Sequence, residues 1–242
     1  MNDQHIVSAF DRDLEAIQAM VIKMGGLVES AILDGARALE SRDTELAEKV
    51  RDGDAAIDAL EDQINEEAAR CIAIRSPIAT DLRIVLSVLR LSAALERLGD
   101  YAKNIAKRTT ILSGTNPMTG SDVTLRRMAR EVQAMLKDTL DAFVQRDKAL
   151  AEDVIQRDLD VDQMYNALFR EFLTFMMEDP RNITSCMHLH FIAKNIERMG
   201  DLVTNMAEQV IYVATGEIPR AERPKEDLTA LHGPDAGPAG GA

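Results

Sequence analysis

The sequence predicts an all-α protein built as two similar three-helix bundles in tandem, and three observations predict it. The composition favours helix formers: Ala, Leu, Met, Glu and Arg are plentiful, aromatics make up 4% and Trp is lacking. Long segments between sparse breakers keep apolar residues at i, i+3, i+4 and i+7, and none sustains period-two alternation. The chain also repeats itself at a spacing of about one hundred residues, too long for a short-repeat solenoid.

Taken in order, the breakers delimit about six helices, approximately 4–40, 43–73, 79–112, 121–145, 147–178 and 182–215. The first ends at Ser41-Arg42-Asp43, where Ser41 or Asp43 can cap the second helix. The second carries the stripe Leu46, Val50, Ile57, Leu60, Ile64 and stops before Ser76-Pro77. The third carries Ile84, Leu91, Leu95, Leu98 and Ile105, and ends in SGTNPMTGSD at 113–122. The fourth to sixth repeat this plan, broken at Arg146-Asp147 and Asp179-Pro180 and closed by Thr215-Gly216. Arg42-Asp43 aligns with Arg146-Asp147 at an offset of 104, which also pairs Val50 with Val154, Asp54 with Asp158 and Asp58 with Asp162. Glu96 aligns with Glu197 at an offset of 101. The domains expected are therefore 1–115, 116–219 and a polar, Gly-Pro-rich tail at 220–242 read as disordered.

A hydrophobic content of 46% supports a large core. A net charge of −13 argues against a nucleic-acid partner, and the small cluster Arg126-Arg127-Arg130 does not change that. The start MNDQHIVSAFDRDLE lacks the pattern of a secretory signal. No uncharged apolar run reaches the ~20 residues that span a bilayer, segment 84–95 coming closest, so a soluble, cytoplasmic protein is expected. Cys71 and Cys186 read as free buried thiols in a reducing compartment.

The chemistry is carried by a doubled motif. Glu96-Arg97-Leu98-Gly99-Asp100 and Glu197-Arg198-Met199-Gly200-Asp201 are each followed by an asparagine, Asn104 or Asn205. On a helix these place Glu, Asp and Asn at i, i+4 and i+8 along one face. Asp54/Asp58 and Asp158/Asp162 form a second pair of ladders on the preceding helices. Each ladder lies about 20 residues from the shared turn, so at 1.5 Å per residue the two arms come level across an antiparallel hairpin. Four carboxylates and an amide are then expected at one height in each half.

Like charges at i, i+4 cost roughly 0.2–0.5 kcal/mol per pair. A sequence carries that cost if the face is solvated, or if a cation neutralises it. Carboxylate and amide oxygens suit Mg²⁺, Mn²⁺, Ca²⁺ or iron, and the lack of nearby His or Cys disfavours structural zinc. Arg97 and Arg198 point about 100° away from the ladder. Gly99 and Gly200 cost helix propensity, for which close helix approach is the expected compensation. His188 and His190 read as core-edge residues, and Met176, Met177 and Met187 as core filler. No phosphate-binding glycine loop, nucleophile elbow or nucleophile–base pair occurs, so no catalytic residues and no enzymatic activity are expected.

The paired ERLGDYAKNIA and ERMGDLVTNMA motifs, the two-fold repeat, AIRSPIATDLR (73–83) and MMEDPRNI (176–183) resemble the PhoU phosphate-uptake regulators over all but the tail. The resemblance implies two three-helix bundles, often dimeric, with metal ions on the acidic motif of each. At the matching positions the metal-face residues are Asp54, Asp58, Glu96, Asp100, Asp158, Asp162, Glu197 and Asp201, with Asn104 and Asn205 alongside. It implies a cytosolic protein, held at the membrane through partners, that links a high-affinity phosphate ABC transporter to a sensor histidine kinase and restrains the starvation response. Two other readings stay open: a ferritin-like di-metal oxidase or iron store, which lacks its Glu-x-x-His motif here, and a metal-free scaffold with solvated faces.

Overall fold

The computed structural model describes residues 2–115 and 120–219, and the expected tail at 220–242 lies outside the described residues. Among the described residues there are six α-helices: α1 Asn2–Ser41, α2 Thr44–Arg75, α3 Thr80–Leu112, α4 Ser121–Gln145, α5 Lys148–Glu178 and α6 Ile183–Thr215. A short 3-10 turn, Pro180–Asn182, joins the last two. Among the described residues there is no strand.

The repeated Arg-Asp pair proves to be the corner between the first two helices of each half. Arg42 and Arg146 both take a left-handed conformation, φ 55. The next amide then turns back onto the ended helix, Asp43 N to Ala38 O at 3.0 Å and Asp147 N to Ala142 O at 3.0 Å. Each Asp side chain caps the next helix, Asp43 accepting from Leu46 N at 2.9 Å and Asp147 from Ala149 N at 2.9 Å. Ser41 instead donates to its own helix, at Arg37 O, and caps nothing.

The halves pack through α1 on α4 and α3 on α6, over one continuous core. The α1–α4 and α3–α6 pairs run antiparallel. Gln133 donates to Glu29 and Arg126 pairs with Glu40, while Arg90 donates to Gln209 at 2.8 Å and Arg108 meets His188 at 3.2 Å. The α2–α3 and α5–α6 turns therefore sit at opposite ends of the molecule.

Ile84, Leu91, Leu95, Leu98 and Ile105 are all fully buried, as their stripe predicts. Cys71 and Cys186 are both buried, and burial pushes both thiols up. Two expectations are corrected. The helix long and apolar enough to cross a membrane is Phe10–Ser41, not the segment 84–95, because Lys23 and Glu29 are its only charges between Glu15 and Asp34. It packs against α2, α3 and α4 in this fold. Met177 and Met187 are not core filler but exposed, and only Met176 packs against the core.

Candidate metal-binding faces

The hairpin register is the one that the spacing predicts. On α2, Asp54 is 4% exposed and its carboxylate lies over the backbone of Gly99 on α3. A Cβ on Gly99 would stand 3.5 Å from Asp54 Oδ1; one on Gly200 would stand only 2.5 Å from Asp158 Oδ1. The glycine of each motif is thus the floor on which the inner aspartate of the neighbouring helix rests. Arg97 and Arg198 are exposed, turned away from these faces.

The carboxylates form a line rather than a closed cage. Four residues of helix advance the face by about 40°, so successive rungs drift outward. Glu96 and Asp100 are half-buried and Asn104 is exposed; Glu197 and Asp201 are half-buried and Asn205 is exposed. Both asparagines stand on the solvent side of their ladders, and the expected level set of four carboxylates plus an amide is corrected to that extent. On the partner helices Asp158 is buried and Asp162 half-buried, whereas Asp58 is exposed beyond the buried Asp54. Among the described residues no three His, Cys, Asp or Glu side chains converge to hold an ion.

Three participants escape a reading confined to the acidic motif. The Lys103 ammonium hydrogen-bonds Asp54 Oδ2 and lies 3.7 Å from Asp100 Oδ1, a cation seated between the two ladders. Its signal was the i+3 spacing from Asp100. In the second half Lys194 pairs with Glu197 Oε1 at 2.9 Å and lies 4.9 Å from the Tyr165 ring centre. Glu61 adds its charge beside Glu96.

The crowding shows in the electrostatics. Burial raises the Asp58 carboxyl, Asp54 raises it further, and Lys103 opposes. Burial likewise raises Glu96, followed by the charges of Asp100, Glu61 and Asp58. A carboxyl with a raised folded pKa favours the protonated fold; its contribution is favourable at low pH and lost as pH rises through that value. In chelator, Asp58→Asn/Glu96→Gln is therefore expected to be more stable than the parent at pH 7. The gap should close as pH falls toward the ordinary Glu value of 4.5, as urea titrations across pH will measure.

The donor chemistry is that of a hard cation's ligands, since every acidic group is an oxygen donor, and a lysine ammonium sits between Asp54 and Asp100. The histidines do not join them. His188 faces Arg108, and His190 lies among Tyr165, Phe169 and Phe191, its pKa lowered by burial.

Fold and faces together define a duplicated helical-bundle protein with one carboxylate-lined hairpin in each half. The PhoU domain model matches residues 21–109 and 125–210. The chain is 45% identical over 233 residues to the phosphate-specific transport system accessory protein PhoU homolog of Rhizobium meliloti (strain 1021), spanning 96% of this chain and 98% of that protein. It is 45% identical over 225 residues to the Caulobacter vibrioides (strain NA1000 / CB15N) homolog, with 93% and 98% covered. Among solved structures, PhoU from Pseudomonas aeruginosa superposes with a TM-score of 0.83 at 38% identity, covering 86% of this chain and all of that one. The phosphate transport system regulatory protein PhoU from Streptococcus pneumoniae gives 0.81 at 31% identity, with 88% of this chain covered. The chain belongs to the PhoU family. This membership lends no support to a ferritin-like oxidase.

Proposed function

We propose that this protein is a non-enzymatic accessory regulator of a phosphate-specific transport system, restraining phosphate uptake and the starvation response. The observation that carries the reading is the doubled E-R-x-G-D motif set across two carboxylate hairpins, in a chain whose relatives are named as accessory proteins of that system. It acts in the cytoplasm, as a homodimer, by contact with the transporter ATPase and a sensor histidine kinase. Divalent or iron-type ions bind the two faces: Asp54, Asp58, Glu96 and Asp100 hold the first, and Asp158, Asp162, Glu197 and Asp201 the second, with Asn104 and Asn205 at the rims. A bound ion supplies positive charge that draws facing ladders together. The residues themselves set how closely the helices of each hairpin approach.

Two experiments test this. Deleting the protein should leave phosphate-starvation genes active in phosphate-replete cells, and pull-downs from their membranes should recover the ATPase or the kinase; repression without the protein, or recovery of neither, overturns the regulatory reading. Separately, elemental analysis of protein purified without chelator should find stoichiometric metal, reduced by about half in Glu96→Ala/Asp100→Ala and in Glu197→Ala/Asp201→Ala. Metal-free parent protein overturns the metal reading alone.

A further inference from the structure

The arginine cluster at 126–130 has no part in the carboxylate faces, and two of its members line a cavity. Arg126 and Arg130, one turn apart on α4, border a space of about 290 Å³ together with Ser30, Leu33, Asp34 and Arg37 of α1. Arg127 is exposed and stands outside it. Three guanidinium groups therefore meet on one concave surface of a chain whose net charge is −13.

The internal repeat shows that packing does not require them. At the offset of 104, the positions matching Arg126, Arg130 and Arg37 are Ile22, Gly26 and Asp141. The same α1–α4 contact is built there around Lys137, Asp138 and Asp141. Arg157 reaches that twin from α5 and is taken up by Glu131 and Asp138. One site is cationic and its twin is acidic.

Neighbouring carboxylates do not exhaust these arginines. Asp34 Oδ1 accepts from Arg37 Nη2 at 2.7 Å, and Glu40 accepts from Arg126 Nη1. A guanidinium carries five N–H donors, so both pairs hold a side chain in place and leave it further donors to give. Arg130 is exposed and makes no ion pair among the described residues.

Guanidinium forks match oxyanions, and the number of forks chooses among them. A carboxylate offers two oxygens in one plane. A phosphoryl group offers three terminal oxygens around a tetrahedral centre, one for each arginine. Ligand sites start at about 300 Å³, so this cavity takes the phosphoryl group and little more.

We propose that Arg37, Arg126 and Arg130 bind a phosphoryl dianion, orthophosphate or a small phosphomonoester, between α1 and α4. The site is separate from the acidic faces, which repel such an anion, and it rests on neither the regulatory nor the metal reading. Calorimetric titration of the full-length protein with orthophosphate, glycerol 3-phosphate and malonate tests it. Chelator is kept present, so that no ion recruits phosphate to the acidic faces.

Saturable binding of one phosphoryl ligand per chain is expected, weakening as salt rises, and the tighter of the two phosphates names its source. Arg37→Gln and Arg130→Gln should each weaken binding at least about tenfold and Arg130→Lys less, with unchanged circular dichroism. Lys137→Gln, in the twin, should leave it unchanged. Absence of saturation, malonate bound as tightly as phosphate, binding that survives Arg130→Gln, or an equal loss in Lys137→Gln overturns the proposal.

Discussion

Gly200→Ala is expected to destabilise the protein by about 1–2 kcal/mol, whereas Gly99→Ala is expected to be neutral or slightly stabilising. Both replacements gain about 1 kcal/mol of helix propensity. They differ in what the new methyl meets. At Gly99 the nearest atom is Ile57 Cδ1 at 3.0 Å, the far end of a flexible side chain. At Gly200 it is Asp158 Oδ1 at 2.5 Å, on a carboxylate that is 9% exposed and has little room to turn. Overpacking of that kind costs about 1–3 kcal/mol and outweighs the propensity gain. Urea denaturation of the two variants checks the contrast, and equal effects would remove the close-approach account of the motif glycine. The metal reading adds a second expectation: Gly200→Ala should weaken ion binding at the second face and leave the first unchanged.

The helices and their register were legible because each rests on a strong local signal. The stripes from Ile57 to Ile64 and from Ile84 to Ile105 mark buried faces, and the distance of Asp54 and Asp100 from Ser76-Pro77 sets their height across the hairpin. The left-handed Arg42 was not legible, since nothing in an arginine announces a positive φ; only the recurrence of Arg-Asp pointed to a shared corner. Which rungs face inward was not legible either. A level ladder and a drifting one have the same spacing, and the 40° drift that leaves Asn104 in solvent depends on how α2 and α3 approach. Lys103 stands inside the doubled motif, yet its role depends on Asp54 from another helix. Met177 and Met187 misled because apolar residues are normally interior. Both stand exposed near a hairpin end, where the described helices leave them uncovered.

Lys103→Met is expected to destabilise the metal-free protein by about 2 kcal/mol. The reason is asymmetric burial: the Asp54 side chain is 4% exposed, while Lys103 keeps 43% of its side chain in solvent. The bond joins a buried carboxylate to a half-exposed ammonium, so solvent screening holds the loss below the roughly 3–5 kcal/mol of a fully buried pair. Asp54→Asn in the same background should restore most of the loss, since it removes the stranded charge, and a double-mutant cycle should return a coupling of about 1–2 kcal/mol. Divalent ions provide the sharper contrast. If the ammonium stands where an ion binds, Lys103→Met should gain more thermal stability from millimolar Mg²⁺ or Mn²⁺ than the parent, because the ion no longer displaces a bound cation. At the second face the repeat places Thr204 where the first has Lys103, and threonine brings no charge. Thr204→Lys should therefore lower ion binding there. Equal stabilisation of parent and Lys103→Met by the ion would mean that the first face binds without Asp54, and that Lys103 is its structural counter-charge alone.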